Sequence, residues 1–384
     1  MNKEQKIFLL LSKLTLSDQE RKLIQECTVD EDIHWEQIFI YSIHHNNTAV
    51  IYKNTIDSDI KLKNGWNRVF KMYFHANKLR NQEVYAVVTP ILNAIYEEGI
   101  KVIPLKGGIL NHTVYKDYGL RHSSDFDLLI EEKDSNQITK ILISFGFVQS
   151  KSKPKNGIIN PASRKIKAFH KMWTHELVPF VKKTNHTLVD FVEIDIQFDI
   201  FSRAKNMRVS FPIERLFKTA KPFEMFGAKS KCYILNPEYN LIQLCSHVFQ
   251  DNTMLQNIQH FKDHKVRDFV DIYEFVKMNE ETIDWDLLSL EIKGSKINEI
   301  LYFCLYNSEQ LFGGFVPIQF LEQIKPSESS ITDQYGLEEA EQYIWKKPFV
   351  QRIFDMSRYE EIKNIDPSKL VESKRFFEVI ASEK

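Results

Sequence analysis

The chain has 384 residues, of which 43% are hydrophobic and 27% charged, and its formal net charge is −1. This is the composition of an ordinary soluble globular protein with room for two or three domains. The near-neutral balance excludes a protein that grips nucleic acid by overall charge, though not a local basic patch.

With 28 Phe and 15 Tyr, a sizeable core can form. Cys27, Cys232, Cys245 and Cys304 lie far apart with no paired spacing. That pattern fits reduced thiols in a cytoplasm and not a zinc site or a disulfide frame. The apolar run at residues 7–11 is too short for a signal-peptide core, and nothing later is long enough to span a membrane.

Residues 1–85 read as an N-terminal helical segment. Phe8, Leu9, Leu11 and Leu14 make one stripe, and Trp35, Ile38, Phe39, Tyr41 and Ile43 another. Trp35 reads as a packing residue and His44 and His45 as surface residues. A further helix over residues 85–98 ends at Gly99 and opens a core unit spanning 86–212.

The organising stretch is residues 102–130, VIPLKGGILNHTVYKDYGLRHSSDFDLLI. Val102, Ile103 and Leu105 form a short strand, which Lys106-Gly107-Gly108 breaks. Ile109, Leu110, Val114 and Tyr115 then fall at helical spacing, Gly119 stops that helix, and residues 123–130 form a second strand. Alternation sends Phe126, Leu128 and Ile130 into a core, and Asp125 and Asp127 to the other face. Carboxylates about 7 Å apart along one strand face repel each other without a counter-charge. A divalent cation is the simplest compensation, and oxygen-only ligands suit Mg2+ or Mn2+.

Beyond a charged turn at 131–134, residues 137–145 read as a helix and Phe147-Val148 as a strand. Residues 151–171 then carry seven Lys or Arg and no acid. Pro154, Gly157 and Pro161 make the first part a loop or hairpin. The stretch is either a solvated loop or an electropositive wall beside a phosphate-bearing ligand. His170 and His175 read as surface residues.

Residues 188–201 alternate strongly. Val192, Ile194, Ile196 and Phe198 face one side; Glu193, Asp195, Gln197 and Asp199 face the other. This acidic face can complete a metal cage with Asp125 and Asp127. From Phe211 the pattern turns helical, and residues 213–384 form a C-terminal helical domain. Helices are expected at 239–249, 266–278, 285–292 and 297–312. A polar loop follows at 326–334, and a helical tail contains Trp345, Phe349, Phe354 and Phe376. His247 reads as a core histidine, and Arg267 with Asp271 as an i,i+4 ion pair.

Two ions on Asp125, Asp127 and a third carboxylate would stand about 3.5–4 Å apart, as in two-metal phosphoryl transfer. Gly107 and Gly108 would let backbone N–H groups approach phosphate oxygens, and Lys106 and Arg121 would add charge, with Ser124 beside them. Taken together, LKGGIL, Tyr115 and GLRHSSDFDLLI resemble the family of uncharacterised nucleotidyltransferases of the type-5 NTP-transferase group, within the DNA polymerase β-like superfamily. IHWEQIFIYSIHHNNTAVIY, NLIQLCSHVF and KVRDFVDIYEFV resemble its flanking helical segments.

The resemblance implies an α+β fold, a small mixed sheet with helices flanked by helical segments. It implies Asp125 and Asp127 as metal ligands and Asp195 as the third, with Glu193 as the alternative. The expected reaction moves a nucleoside monophosphate from an NTP to a hydroxyl or phosphate on a small molecule, peptide or protein, releasing pyrophosphate. The motif also resembles nucleotidyltransferase toxins, which keeps RNA open as an acceptor through residues 151–171. A catalytically silent nucleotide- or protein-binding module is the remaining alternative.

Overall fold

The computed structural model describes residues 1–365 apart from 30–32, 61, 63–64, 155–156, 226–229, 328 and 364. Phe376 and Lys155 therefore lie outside the described residues. The chain opens with helices α1 (Lys3–Leu11), α2 (Asp18–Val29), α3 (Trp35–His44), α4 (Thr48–Asp57) and α5 (Trp66–Glu97). The helix expected at 85–98 is the second half of α5, a single helix of 32 residues that carries Pro90 in its interior without ending there.

The centre of the fold is a mixed five-stranded sheet in the order β1-β2-β5-β4-β3. Its elements are β1 (Ile103–Pro104), α6 (Gly107–Thr113), β2 (Phe126–Leu129), α7 (Ser135–Ser144), β3 (Val148–Gln149), α8 (Arg164–Trp173), β4 (Phe180–Lys183) and β5 (Phe191–Gln197). Strand β2 runs parallel to β5, with Asp127 opposite Asp195. The other pairings are antiparallel. The expected hairpin character of the basic stretch is present as a bridge between Ser150 and Pro161.

After α9 (Glu214–Thr219) comes a two-stranded hairpin, β6 (Lys221–Met225) and β7 (Ser230–Ile234). The helical reading from Phe211 onward did not include it. The Tyr233 amide donates to the Val102 carbonyl at 2.8 Å, so the hairpin leans on the β1 edge. Helices α10 (Pro237–Thr253), α11 (Leu255–Gln259), α12 (Val266–Met278), α13 (Trp285–Ile292), α14 (Ile297–Phe312) and α15 (Ile318–Ile324) follow. Asn236 caps α10 by accepting from the Tyr239 amide, and Pro237 stands in the first turn, where no N–H is missed. The tail is less helical than expected: β8 (Gln334–Tyr335), β9 (Tyr343–Ile344), α16 (Phe349–Arg352) and α17 (Tyr359–Lys363).

Strand alternation splits the interior in two. Phe126, Leu128, Ile130, Val192, Ile194, Ile196 and Phe198 join Val88, Ile91, Leu92 and Ile95 of α5 in one core. Ile103, Leu105, Ile109 and Leu129 belong to a larger core that takes in both the N-terminal and the C-terminal helices. His45 belongs to that packing. It is fully buried, its Nδ1 accepts from the Val266 amide at 3.3 Å, and it sits against Phe8 and Phe354. The surface role expected for it is therefore corrected: burial beside helix α12 needs a neutral ring, and burial pushes its pKa well below the usual histidine value.

Phe180 is fully buried on β4, between β3 and β5, in register with Gln149 and Ile194. Phe180→Ala is expected to cost about 3–5 kcal/mol in urea denaturation. A loss below about 1 kcal/mol would contradict that burial.

Candidate functional site

The two expected aspartates meet on the sheet face that the apolar residues leave. Strand β2 is shorter than residues 123–130, and Asp125 stands just before it. The approach is shaped by α5 instead. Asn77 donates to the Gly119 carbonyl at 2.7 Å, and Asn81 donates to those of Tyr118 and Arg121 at 2.7 and 2.9 Å. Arg80 donates to the carbonyls of Ser123 and Ser124. These bonds hold residues 118–124 away from the sheet ladder. Gly119 does not stop α6, which already ends at Thr113. A Cβ there would come within 2.4 Å of the Phe74 ring, so this glycine serves close packing.

Asp125, Asp127, Glu193 and Asp195 line one cleft of about 550 Å3, as do Lys106, Gly107, Arg121 and Ser124. Gly108 does not line it. A Cβ on Gly108 would stand 3.2 Å from Phe126, and its N–H donates to the Leu105 carbonyl at 2.9 Å. Gly107 is required for a different reason. A Cβ would lie 1.9 Å from Ser123 Oγ and 2.3 Å from Arg121 Nη1.

Lys106 has a left-handed backbone, φ 47°, and its ammonium lies 2.8 Å from Asp127 Oδ1. Gln197 donates to that same oxygen at 2.8 Å. Burial opposes the Lys106 charge, yet Asp127 and Asp125 hold its pKa above the ordinary lysine value.

The remaining carboxylates outnumber the cations against them. Burial and the neighbouring Asp125 push Asp127 up to about 6, against the pull of Lys106. Burial, then Glu176, Asp125, Asp127 and Glu193, push Asp195 well above the usual range. Its Oδ1 is buried and, among the described residues, has no hydrogen-bond partner. Asp125 alone is lowered: burial raises it, but Lys106, Lys153 and Lys262 outweigh that.

Hard oxygen donors, surplus negative charge and an orphaned oxygen are the chemistry of a divalent-cation site. Among the described residues no three His, Cys, Asp or Glu side chains are already gathered as a cage. Lys106 supplies the counter-charge in this arrangement.

Several sequence readings change. Arg121, expected at phosphate, is 5% exposed and donates from Nε and Nη2 to Asp271, with a closest approach of 2.6 Å. The hydroxyl of Tyr115 donates to the same carboxylate at 2.7 Å. Arg267 therefore pairs with Asp268 and not with Asp271, because Arg121 already occupies that acid. His247 lines the cleft with Nε2 3.4 Å from Asp251, instead of sitting in the core. His170 is buried, and His175 lines the cleft with its pKa lowered to about 4 by burial.

Several cleft residues carried no sequence signal of their own: Glu176, Asp251, Lys262 and Lys265; nor did Arg80, which holds the approach at Ser123 and Ser124. Glu176 arrives through its bridge to Gln197, a pairing at the C-terminal end of β5. Asp251 is pushed up to about 7 by burial and by Asp268, against Lys262.

A carboxyl whose native pKa is raised holds its proton more tightly folded than unfolded. It therefore costs stability as pH climbs above the unfolded value. Asp195→Asn removes that cost. Without added metal, the variant is expected to gain stability over the parent, more at pH 7 than at pH 5, by at most about 1.4 kcal/mol per pH unit. Urea denaturation in a chelating buffer measures it, and equal gains at both pH values would contradict the charge surplus at Asp195.

No curated protein and no solved structure matches the chain. A family model does, over residues 31–313, a span that takes in both aspartate strands and α10 to α14. The chain belongs to the family of uncharacterised nucleotidyltransferases.

Proposed function

We propose that the protein transfers a nucleoside monophosphate from an NTP to a hydroxyl or phosphate acceptor. The observation that carries this reading is the register of Asp127 opposite Asp195 on one cleft face, with Asp125 beside them and an unpartnered oxygen on Asp195. In the reaction, an acceptor oxygen attacks the α-phosphorus. The bond from that phosphorus to the β-bridging oxygen breaks, and pyrophosphate leaves.

Asp195 Oδ1, once ionised, is the group suited to receive the acceptor's proton, because among the described residues it has no competing donor. Asp125, Asp127 and Asp195 would hold Mg2+ or Mn2+, with Glu193 as the alternative third ligand. Divalent cations bound there would lower the pKa of the acceptor hydroxyl and neutralise charge on the leaving pyrophosphate. Lys106 keeps Asp127 in place and adds positive charge at the cleft floor.

An RNA acceptor remains a second reading because Lys153 of the basic stretch lines this cleft. Arg164 and Lys165, exposed at the start of α8, belong to the same basic stretch of the sequence. Neutralising Lys151, Lys153, Arg164 and Lys165 together is expected to weaken labelling of RNA by about tenfold or more, and to leave a small acceptor's labelling unchanged. Equal labelling of RNA by the variant would remove that reading.

Asp127→Asn is expected to abolish pyrophosphate release from labelled NTPs in the presence of Mg2+ and a cell-lysate acceptor pool. Its circular dichroism should stay that of the parent. Turnover at the parent's rate would defeat the mechanism. NTP binding in calorimetry without pyrophosphate release from any acceptor pool would mark a silent module instead.

At limiting Mg2+ the parent's rate should rise with pH through about 6, where the Asp127 carboxyl ionises and protons cease to compete with the metal for it. A rate that falls over that interval would contradict the need for an ionised Asp127.

A further inference from the structure

The cations expected at the triphosphate are already engaged. Lys106 is paired with Asp127 and Arg121 with Asp271, and a further cleft cation, Arg267, is paired with Asp268. Across the cleft from the sheet, the loop between α11 and α12 brings in Lys262 and Lys265. Among the described residues neither makes an ion pair or a side-chain hydrogen bond. Lys262 nevertheless acts on the sheet's acids, since it is among the charges that lower Asp125, Glu176 and Glu193.

This loop is held in a costly shape. Phe261 and His264 both have left-handed backbones, φ 57° and 53°. Such residues cost about 1–3 kcal/mol each and persist only where their surroundings fix them. The surroundings here are unusual. Asp263 is fully buried between Lys262 and His264 and takes bonds from His264 Nδ1 at 2.6 Å, Arg358 Nε at 2.9 Å and the Tyr359 hydroxyl at 2.7 Å. His264 Nε2 accepts from Arg352 Nε at 3.0 Å, and Arg352 also bonds Asp333. The His264 amide is fixed by Asn252 at 2.9 Å. The two buried arginines thus lock Asp263 and His264, the residues between Lys262 and Lys265, and leave the lysines themselves lining the cleft.

We propose that Lys262 and Lys265 bind the polyphosphate of the nucleotide, as a preset basic clamp opposite the carboxylate floor, an assignment that rests on the nucleotidyltransferase reading. The clamp would hold the β- and γ-phosphates while the α-phosphorus lies toward Asp125, Asp127 and Asp195. Charge complementarity favours it. A polyphosphate is polyanionic, and unpaired ammonium groups on a rigid frame give up little entropy to bind it.

The test compares the parent, Lys262→Ala/Lys265→Ala, Lys262→Arg/Lys265→Arg and, as a distant charge control, Lys140→Ala. Calorimetry with each of the four NTPs and with inorganic tripolyphosphate, all with Mg2+, reads the dissociation constants. The alanine pair is expected to weaken binding by about tenfold or more, the arginine pair to keep it within about threefold, and Lys140→Ala to leave it at the parent's value. Melting temperatures equal to the parent's show that the loop's frame survives. Unchanged NTP affinity in the alanine pair overturns the clamp while leaving nucleotide binding intact. A parent that binds no NTP overturns both the clamp and the nucleotidyltransferase reading.

Discussion

Like charge held at close quarters is the constraint from which the rest follows. Two parallel strands set Asp127 opposite Asp195, and the sheet's other face is committed to the core. The carboxylates therefore cannot turn away without exposing Phe126, Leu128, Ile194 and Ile196. Lys106 answers part of that repulsion, and its left-handed backbone is what brings an ammonium from the end of β1 onto Asp127. Asp195 is left with an oxygen that nothing among the described residues satisfies. A buried polar atom without a partner is costly, and proteins retain such atoms where chemistry uses them.

The helices supply the opposite wall. The N-terminal and C-terminal helices share one continuous apolar core with part of the sheet, so the cleft is not a seam between independent bodies. Contacts such as the Leu14 amide on Glu274 and His45 beneath α12 tie the first helices to the last. Arg121, Tyr115 and Asp271 make the corresponding tie between the approach to Asp125 and α12. Breaking that buried pair from one side would leave a charge stranded in the interior, which is far more costly than never having built it.

Much of this was legible in the sequence. Period-two alternation placed Asp127 and Asp195 on one face, and 3.6-residue spacing set α12, α13 and α14 to the residue. Local pattern could not say who pairs with whom. Arg267 and Asp271 have ideal helical spacing, yet Arg121, 150 residues earlier in the chain, takes the acid. His247 sits among apolar neighbours in sequence and faces the cleft in space. Glu176 and Lys262 have no local signature, because what makes them relevant is a long-range strand bridge and a strained loop. The β6–β7 hairpin escaped for a related reason: its burial is slight on one strand, so its alternation is faint.

Helix α5 offers a last consequence. Asn77, Arg80 and Asn81 recur at three- and four-residue intervals, so they share one stripe of its surface. All of them hand their protons to carbonyls of residues 118–124. The segment leading to Asp125 thus borrows its contour from a template elsewhere in the chain, much as a cast takes the form of its mould. The contour itself then depends on the amide and guanidinium stripe of the template, while Gly119 and Arg121 within the segment answer to Phe74 and Asp271.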